Sequence, residues 1–146
     1  MHQLEQFAAV QQELGHIPEF WVIFTGSAYT SGALSMVAGL ASKLSARICL
    51  VAAQVVPYPL PLLEGAVRPE FLRRWLLGLV LGYDVEASVQ ICLCRDSAET
   101  LNKVLPRDAI VVIGGRRHWW RTAEQRLAHA LAQRGRTIFF FDPTQR

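Results

Sequence analysis

The segment VVIGGRRHWWRT, Val111 to Thr122, gathers most of the residues in this chain whose types suit chemistry. Gly114 and Gly115 end an apolar run; Arg116, Arg117, His118, Trp119, Trp120 and Arg121 follow before Thr122. Glycines at a strand end let backbone N–H groups turn toward an anion with no side chain in the way. A helix opening at Thr122 would add the partial positive charge of its N-terminus. Arg116, Arg117 and Arg121 could meet a phosphate through charged, bidentate hydrogen bonds. The same arginines and tryptophans could instead stack on nucleic acid, or cover a sheet edge. A second loop, TGSAYTS, places Thr25, Gly26 and Ser27 after another short apolar run.

Other reactive residues have weaker claims. Ser27 and Ser31 lack a Gly-x-Ser-x-Gly elbow and read as loop and cap residues. His118 has no acid at a pairing distance in sequence and reads as a solvated loop histidine, and His2, His16 and His129 have no better claim. Cys49, Cys92 and Cys94 lie inside apolar runs. Cys92 and Cys94 would share one face of a strand, but even with Cys49 there is no fourth ligand for zinc. We read three buried, reduced thiols, no disulfide framework and no metal.

Charge is uneven along the chain. Arg116, Arg117, Arg121, Arg126, Arg134 and Arg136 face one acid, Glu124, so this stretch carries +5 and the remainder −2 of a net +3. An anionic partner suits that end. Nucleic acid is disfavoured, since the basic cluster is short and no recognition motif accompanies it. No apolar run reaches the ~18 residues of a membrane span, and no signal peptide is legible, so a cytoplasmic protein is expected.

Periodicity supplies the elements that would position these loops. Leu4, Phe7, Ala8 and Leu14 recur at helical spacing, with Gly15 as a left-handed stop and Pro18 as a break. Trp21 to Phe24 reads as a strand, and Ser31 to Leu44 as a helix capped by Thr30 or Ser31. Arg47 to Val56 is a strand apolar on both faces, which calls for a parallel sheet with helices on each side. A proline loop precedes Pro69, which suits the first turn of a helix reaching about Gly82. That helix is apolar nearly all round, so residues 70–82 must be covered, by the N-terminal helix, the proline loop, a protein partner or a membrane surface. Ala87 to Cys94 and Ala109 to Ile113 read as further strands. Between them Asp96 to Glu99 has capping-box spacing, and Pro106 stops the helix that follows. Thr122 to Gln125 repeats the capping box, Gly135 ends that helix, and TIFFF, Thr137 to Phe141, is a last strand. Strands alternating with helices give a doubly wound α/β sheet, with 1–18 as a helical extension and 19–146 as the domain. Ligands of such sheets sit beyond the carboxyl strand ends where strand order reverses.

At the two loops the chain resembles the universal stress protein superfamily. VIFTGSAYTSGALSMVAGLASKLSARICLVAAQVVP is similar to that family's opening, RDSAETLNKVLPRDAIVVIGG to its later stretch, and TAEQRLAHALAQRGRTIFFF to its last helix and strand. The resemblance implies a five-stranded parallel sheet of order 3-2-1-4-5. It also implies ATP or AMP between the first and fourth strand ends, and homodimers joined through the last strand, here Ile138, Phe139, Phe140 and Phe141. Three departures matter. Thr25 stands where the family's first loop has an acid, although Gly26 and Ser27 are kept. Gly114 fits the first glycine of the phosphate loop, but Arg117 replaces the second. The stretch bearing the third glycine is absent or shortened, with Thr122 or Ala123 about where its end should be. Two indoles, each able to bury on the order of 200 Å², would crowd the crevice. The expectation is a non-catalytic regulatory binding module without cofactor. The alternatives are a nucleotide-binding protein using the arginine loop and a nucleic-acid-binding module.

Overall fold

Five short apolar runs become parallel strands because a helix-bearing segment after each of the first four carries the chain back across the sheet. The computed structural model describes residues 4–6, 15, 17–56, 69–117 and 122–143. Within them run β1 (Glu19–Ile23), α1 (Ser27–Leu44), β2 (Arg47–Val55), α2 (Pro69–Val80), β3 (Ala87–Cys94), α3 (Ser97–Val104), β4 (Ile110–Gly114), α4 (Ala123–Ala132) and β5 (Thr137–Phe141). All neighbours pair in parallel, in the order β3-β2-β1-β4-β5.

The period-two alternation of strands sorts the core into two layers. Phe20, Val22, Ile48, Leu50, Ile110 and Val112 pack on one face against Leu34, Val37 and Ala41 of α1 and Leu76 and Val80 of α2. Ile23, Cys49, Val51, Val111 and Ile113 pack on the other against Leu101 of α3 and Ala128 and Leu131 of α4. The central strands β1, β2 and β4 are apolar on both sides for that reason, while the edge strand β3 exposes Ser88 and Gln90.

Several local readings shift. The first helix begins at Ser27, not Ser31, and neither Thr30 nor Ser31 caps it; Gly26 is the N-cap and makes no side-chain cap bond. Thr30 is fully buried inside the helix, where its Oγ1 accepts from the Thr25 N–H at 3.1 Å. A side chain already committed to that loop amide is not free to cap a helix. The first strand starts two residues before Trp21 and stops before Phe24, and the fourth gains Gly114 and loses Ala109. Pro69 opens α2 as expected, but the helix ends at Val80, before Gly82. Asp96 caps α3 by accepting from the Glu99 N–H, while the Glu99 carboxylate pairs with Lys103 at 3.2 Å. At α4 the capping box is complete, with Thr122 and Gln125 exchanging both bonds. Gly15 and Gly135 take positive φ, +82° and +89°.

Residues 4–6 have helical backbone, and Leu4 is buried in the core layer that holds Leu76. The rest of the expected N-terminal helix and the proline loop 57–68 lie outside the described residues. On α2 the expected all-round cover is partial: Leu76 and Val80 are buried, yet Phe71 is 64 % and Trp75 42 % exposed. Glu70, Arg73 and Arg74 are exposed, so the helix presents one face to the sheet. Among the described residues no helix is long and apolar enough to cross a membrane.

Candidate functional site

β1 sits between β2 and β4, so strand order reverses at its carboxyl end, where Ile23 pairs with Ile113. The two loops singled out in the sequence leave from this point. Thr25 ties them together: its Oγ1 donates to the Gly114 carbonyl, and its N–H is held by Thr30. Gly26 has φ +136°, in the range where a side chain would be strained. That turn lets Ser27 become the first residue of α1, with the Thr30 N–H donating to the Gly26 carbonyl at 2.9 Å.

Gly114, the last residue of β4, and Gly115 just after it answer to packing. A Cβ on Gly114 would fall on the Tyr29 carbonyl of α1, and one on Gly115 would lie 2.7 Å from Glu124 Cβ and 2.9 Å from Phe140 Cζ. The backbone is bare here because α1 and α4 press against it, which requires glycine whether or not an anion binds.

Beyond the glycines the loop is bonded inward. The Gly115 N–H donates to the Phe141 carbonyl at 2.9 Å. The Arg117 N–H donates to Asp142 Oδ2 at 2.8 Å, and Asp142 is buried. The Arg117 side chain runs toward β5, where Nη2 donates to the Phe140 carbonyl at 3.0 Å and the guanidinium carbon lies 5.1 Å from the centre of the Phe140 ring. Such a contact combines hydrogen bonding with cation–π attraction. Arg116 is exposed, and its carbonyl accepts from Thr122 Oγ1 at 3.0 Å. The structure thus brings Thr25 and Gly114 together at one mouth, while the Arg117 side chain goes to the β5 edge. Arg121, with His118, Trp119 and Trp120, lies outside the described residues.

Asp142 was not singled out from sequence, although the signal is visible afterwards. In FFFDP the acid directly follows the last strand. The register Gly114 to Phe141 then carries residue 142 alongside the loop that leaves β4.

β5 is the sheet edge expected, and Ile138 to Phe141 are all half-buried. In a parallel pair alternate residues direct their backbone groups to opposite sides. Phe141 directs its carbonyl to Gly115, so the Phe140 carbonyl faces the open edge, and Arg117 occupies it.

Beside the mouth an apolar cleft of about 260 Å³ lies between Phe24, Ala52, Ala53, Gln54 and Leu72. Trp75 meets Phe24 edge-on, with ring centres 5.5 Å apart. The three cysteines are free. Burial pushes the Cys49 thiol above its ordinary pKa, with a Ser88 hydrogen bond opposing, and burial also raises Cys92. Both favour the protonated, unreactive thiol. Among the described residues no three His, Cys, Asp or Glu side chains converge as metal ligands.

Neither a known family model nor any curated protein matches this chain. Solved structures do. The universal stress protein from Archaeoglobus fulgidus superposes with TM-score 0.61 at 13 % identity, covering 89 % of this chain and 98 % of that one. The Archaeoglobus fulgidus universal stress protein in complex with dAMP gives 0.58 at 13 % identity, covering 86 % and 97 %. A protein of the universal stress protein family from Burkholderia pseudomallei gives 0.56 at 18 % identity, covering 84 % and 94 %. The chain has the universal stress protein fold, with its strand order and helices on both faces.

Proposed function

We propose that this chain is a non-catalytic binding or regulatory module on the universal stress protein fold, whose crevice does not hold nucleotide phosphates in a glycine cradle. One observation carries the reading: the amide a phosphate would need after the β4 glycines, that of Arg117, is given to the buried carboxylate of Asp142. An entering phosphate would have to displace that carboxylate or face its charge. Like charges ~4 Å apart repel by about 1 kcal/mol in water and about 4 kcal/mol in a surface-like dielectric. The neighbouring Gly115 amide is spent on β5, and Thr25, lacking a carboxylate, bonds Gly114 instead.

The same proposal assigns two protein contacts. Self-association would use the half-buried apolar edge strand β5, and a protein partner would meet α2 at Phe71 and Trp75. Three free cysteines support a reducing, cytoplasmic setting. The dAMP complex of the Archaeoglobus fulgidus protein supports a second reading, a nucleotide held chiefly by its base in the cleft at Phe24, Ala52 and Leu72. Calorimetry with ATP and AMP tests both. We expect no micromolar binding of either. Micromolar ATP binding lost in Arg117→Ala would overturn the proposal, and AMP binding that survives that change would favour the base-led reading.

A further inference from the structure

At the opposite end of the sheet from this crevice, the C-terminal turn of α3 and the turn between α4 and β5 enclose a polar cleft. Asn102, Lys103, Leu105, Arg107, Arg134 and Arg136 line it. Its volume is about 460 Å³, room for roughly fifteen waters. No reading of the sequence singled out this place, and the nucleotide crevice does not extend to it.

Arg136 explains how the cleft acquires its character. It is buried, and its Nε donates to the Pro106 carbonyl at 3.1 Å. Nη1 donates to Asn102 Oδ1 at 2.6 Å, and Nη2 to the Asn102 and Leu105 carbonyls at 2.6 and 2.8 Å. A helix C-terminus bears unpaired carbonyls and partial negative charge, which would ordinarily repel an anion. Here one guanidinium takes up the Asn102, Leu105 and Pro106 carbonyls and sets a positive charge against them. The Asn102 side-chain oxygen is used as well, so its amide N–H groups remain as donors.

Apart from Leu105, the side chains that line the cleft are donors, four of them cationic. Arg107 and Arg134 are exposed, and among the described residues neither has an acidic partner. Lys103 is paired with Glu99 at 3.2 Å, so its charge counts for less. Arg134 also depresses the Arg136 pKa, although burial is the larger cause. Arg134 and Arg136 are thus like charges held close together. A bound anion would relieve that repulsion and accept from the guanidinium forks of Arg107 and Arg134. The volume exceeds what one tetrahedral ion would fill, which favours a ligand with more than one anionic group.

We infer that this cleft is a binding site for a small multivalent oxyanion, held by Arg107 and Arg134 with Asn102 and Lys103, over a floor in which Arg136 ties down the Asn102, Leu105 and Pro106 carbonyls. Inorganic pyrophosphate and citrate are the simplest probes, and they separate a phosphate source from a carboxylate source. The test is calorimetric titration of the full chain at low ionic strength, with Arg107→Ser/Arg134→Ser and, as a control on the other basic loop, Arg116→Ser. At least one probe should bind wild type, about tenfold or more weakly in the double variant, and unchanged in Arg116→Ser. Amide shifts of the wild-type chain on titration should cluster at Asn102, Lys103, Arg107 and Arg134, which decides the matter even if the double variant folds poorly. Absence of binding by both probes, equal affinity in the double variant, or shifts confined to residues 114–117 would overturn the inference.

Discussion

A methyl group on Gly114 would fall on the Tyr29 carbonyl oxygen, with the carbonyl carbon 2.9 Å away and the Ala33 Cβ at 3.2 Å. Tyr29 lies in the first turn of α1, and Ala33 is fully buried one turn further on. Neither obstacle is the end of a flexible side chain, so the helix start must shift or the end of β4 must lift. Overpacking of a core costs about 1–3 kcal/mol, and a backbone obstacle places Gly114→Ala near the upper figure. Lifting β4 would also strain the Thr25–Gly114 hydrogen bond, adding about 1 kcal/mol. Gly39→Ala is the control. It lies in the same helix, is exposed, and has nothing within 4 Å of an added Cβ. It should gain about 0.5–1 kcal/mol from helix propensity. Urea unfolding followed by circular dichroism should give midpoints displaced in opposite directions at unchanged slope. Were Gly114→Ala within 1 kcal/mol of wild type, the tight seating of α1 on β4, and with it the closed mouth, would be wrong.

Three further outcomes follow from particular contacts. Arg136→Met leaves the Asn102 and Leu105 carbonyls without their donor and should destabilise by about 3 kcal/mol or more, read as a fall in thermal midpoint. Arg117→Ala frees the outward Phe140 carbonyl on the β5 edge, so light scattering should show more self-association than wild type; an unchanged mass would argue against β5 as the contact. The raised Cys49 and Cys92 thiols should react slowly with a disulfide reagent at pH 8 until the chain is unfolded. Because their folded pKa values lie above the unfolded ones, the associated stability is complete below the ordinary thiol value of about 8.5 and is lost as pH rises from there through the raised folded values.

Much of the fold was legible because its signals are local. Runs such as Ala87–Cys94 and Thr137–Phe141 announce strands, Pro69 marks a helix start, and Thr122 with Gln125 marks another. The strand order came from resemblance, since no single run says which neighbour it pairs with. Less of the site was readable, because its parts meet only through the sheet register. Asp142 reaches the Arg117 amide across 25 residues, and Arg136 reaches Asn102 across 34. Thr30 misled for a related reason: it has the chemistry of a cap, but Gly26 turns the chain earlier and the hydroxyl is bound to Thr25 instead. Counting arginines suggested one basic surface near residues 116–136. Folding divides it, sending Arg117 to the β5 edge and Arg134 and Arg136 to the far end of the sheet.

Electron density from crystals grown without ligand and then soaked in ATP, viewed between Thr25 and Arg117, tests the central claim most directly. The account predicts an unchanged crevice in both maps, with Asp142 still bonded to the Arg117 amide. Triphosphate density ringed by the amides of residues 115–117, with Asp142 displaced, would contradict it.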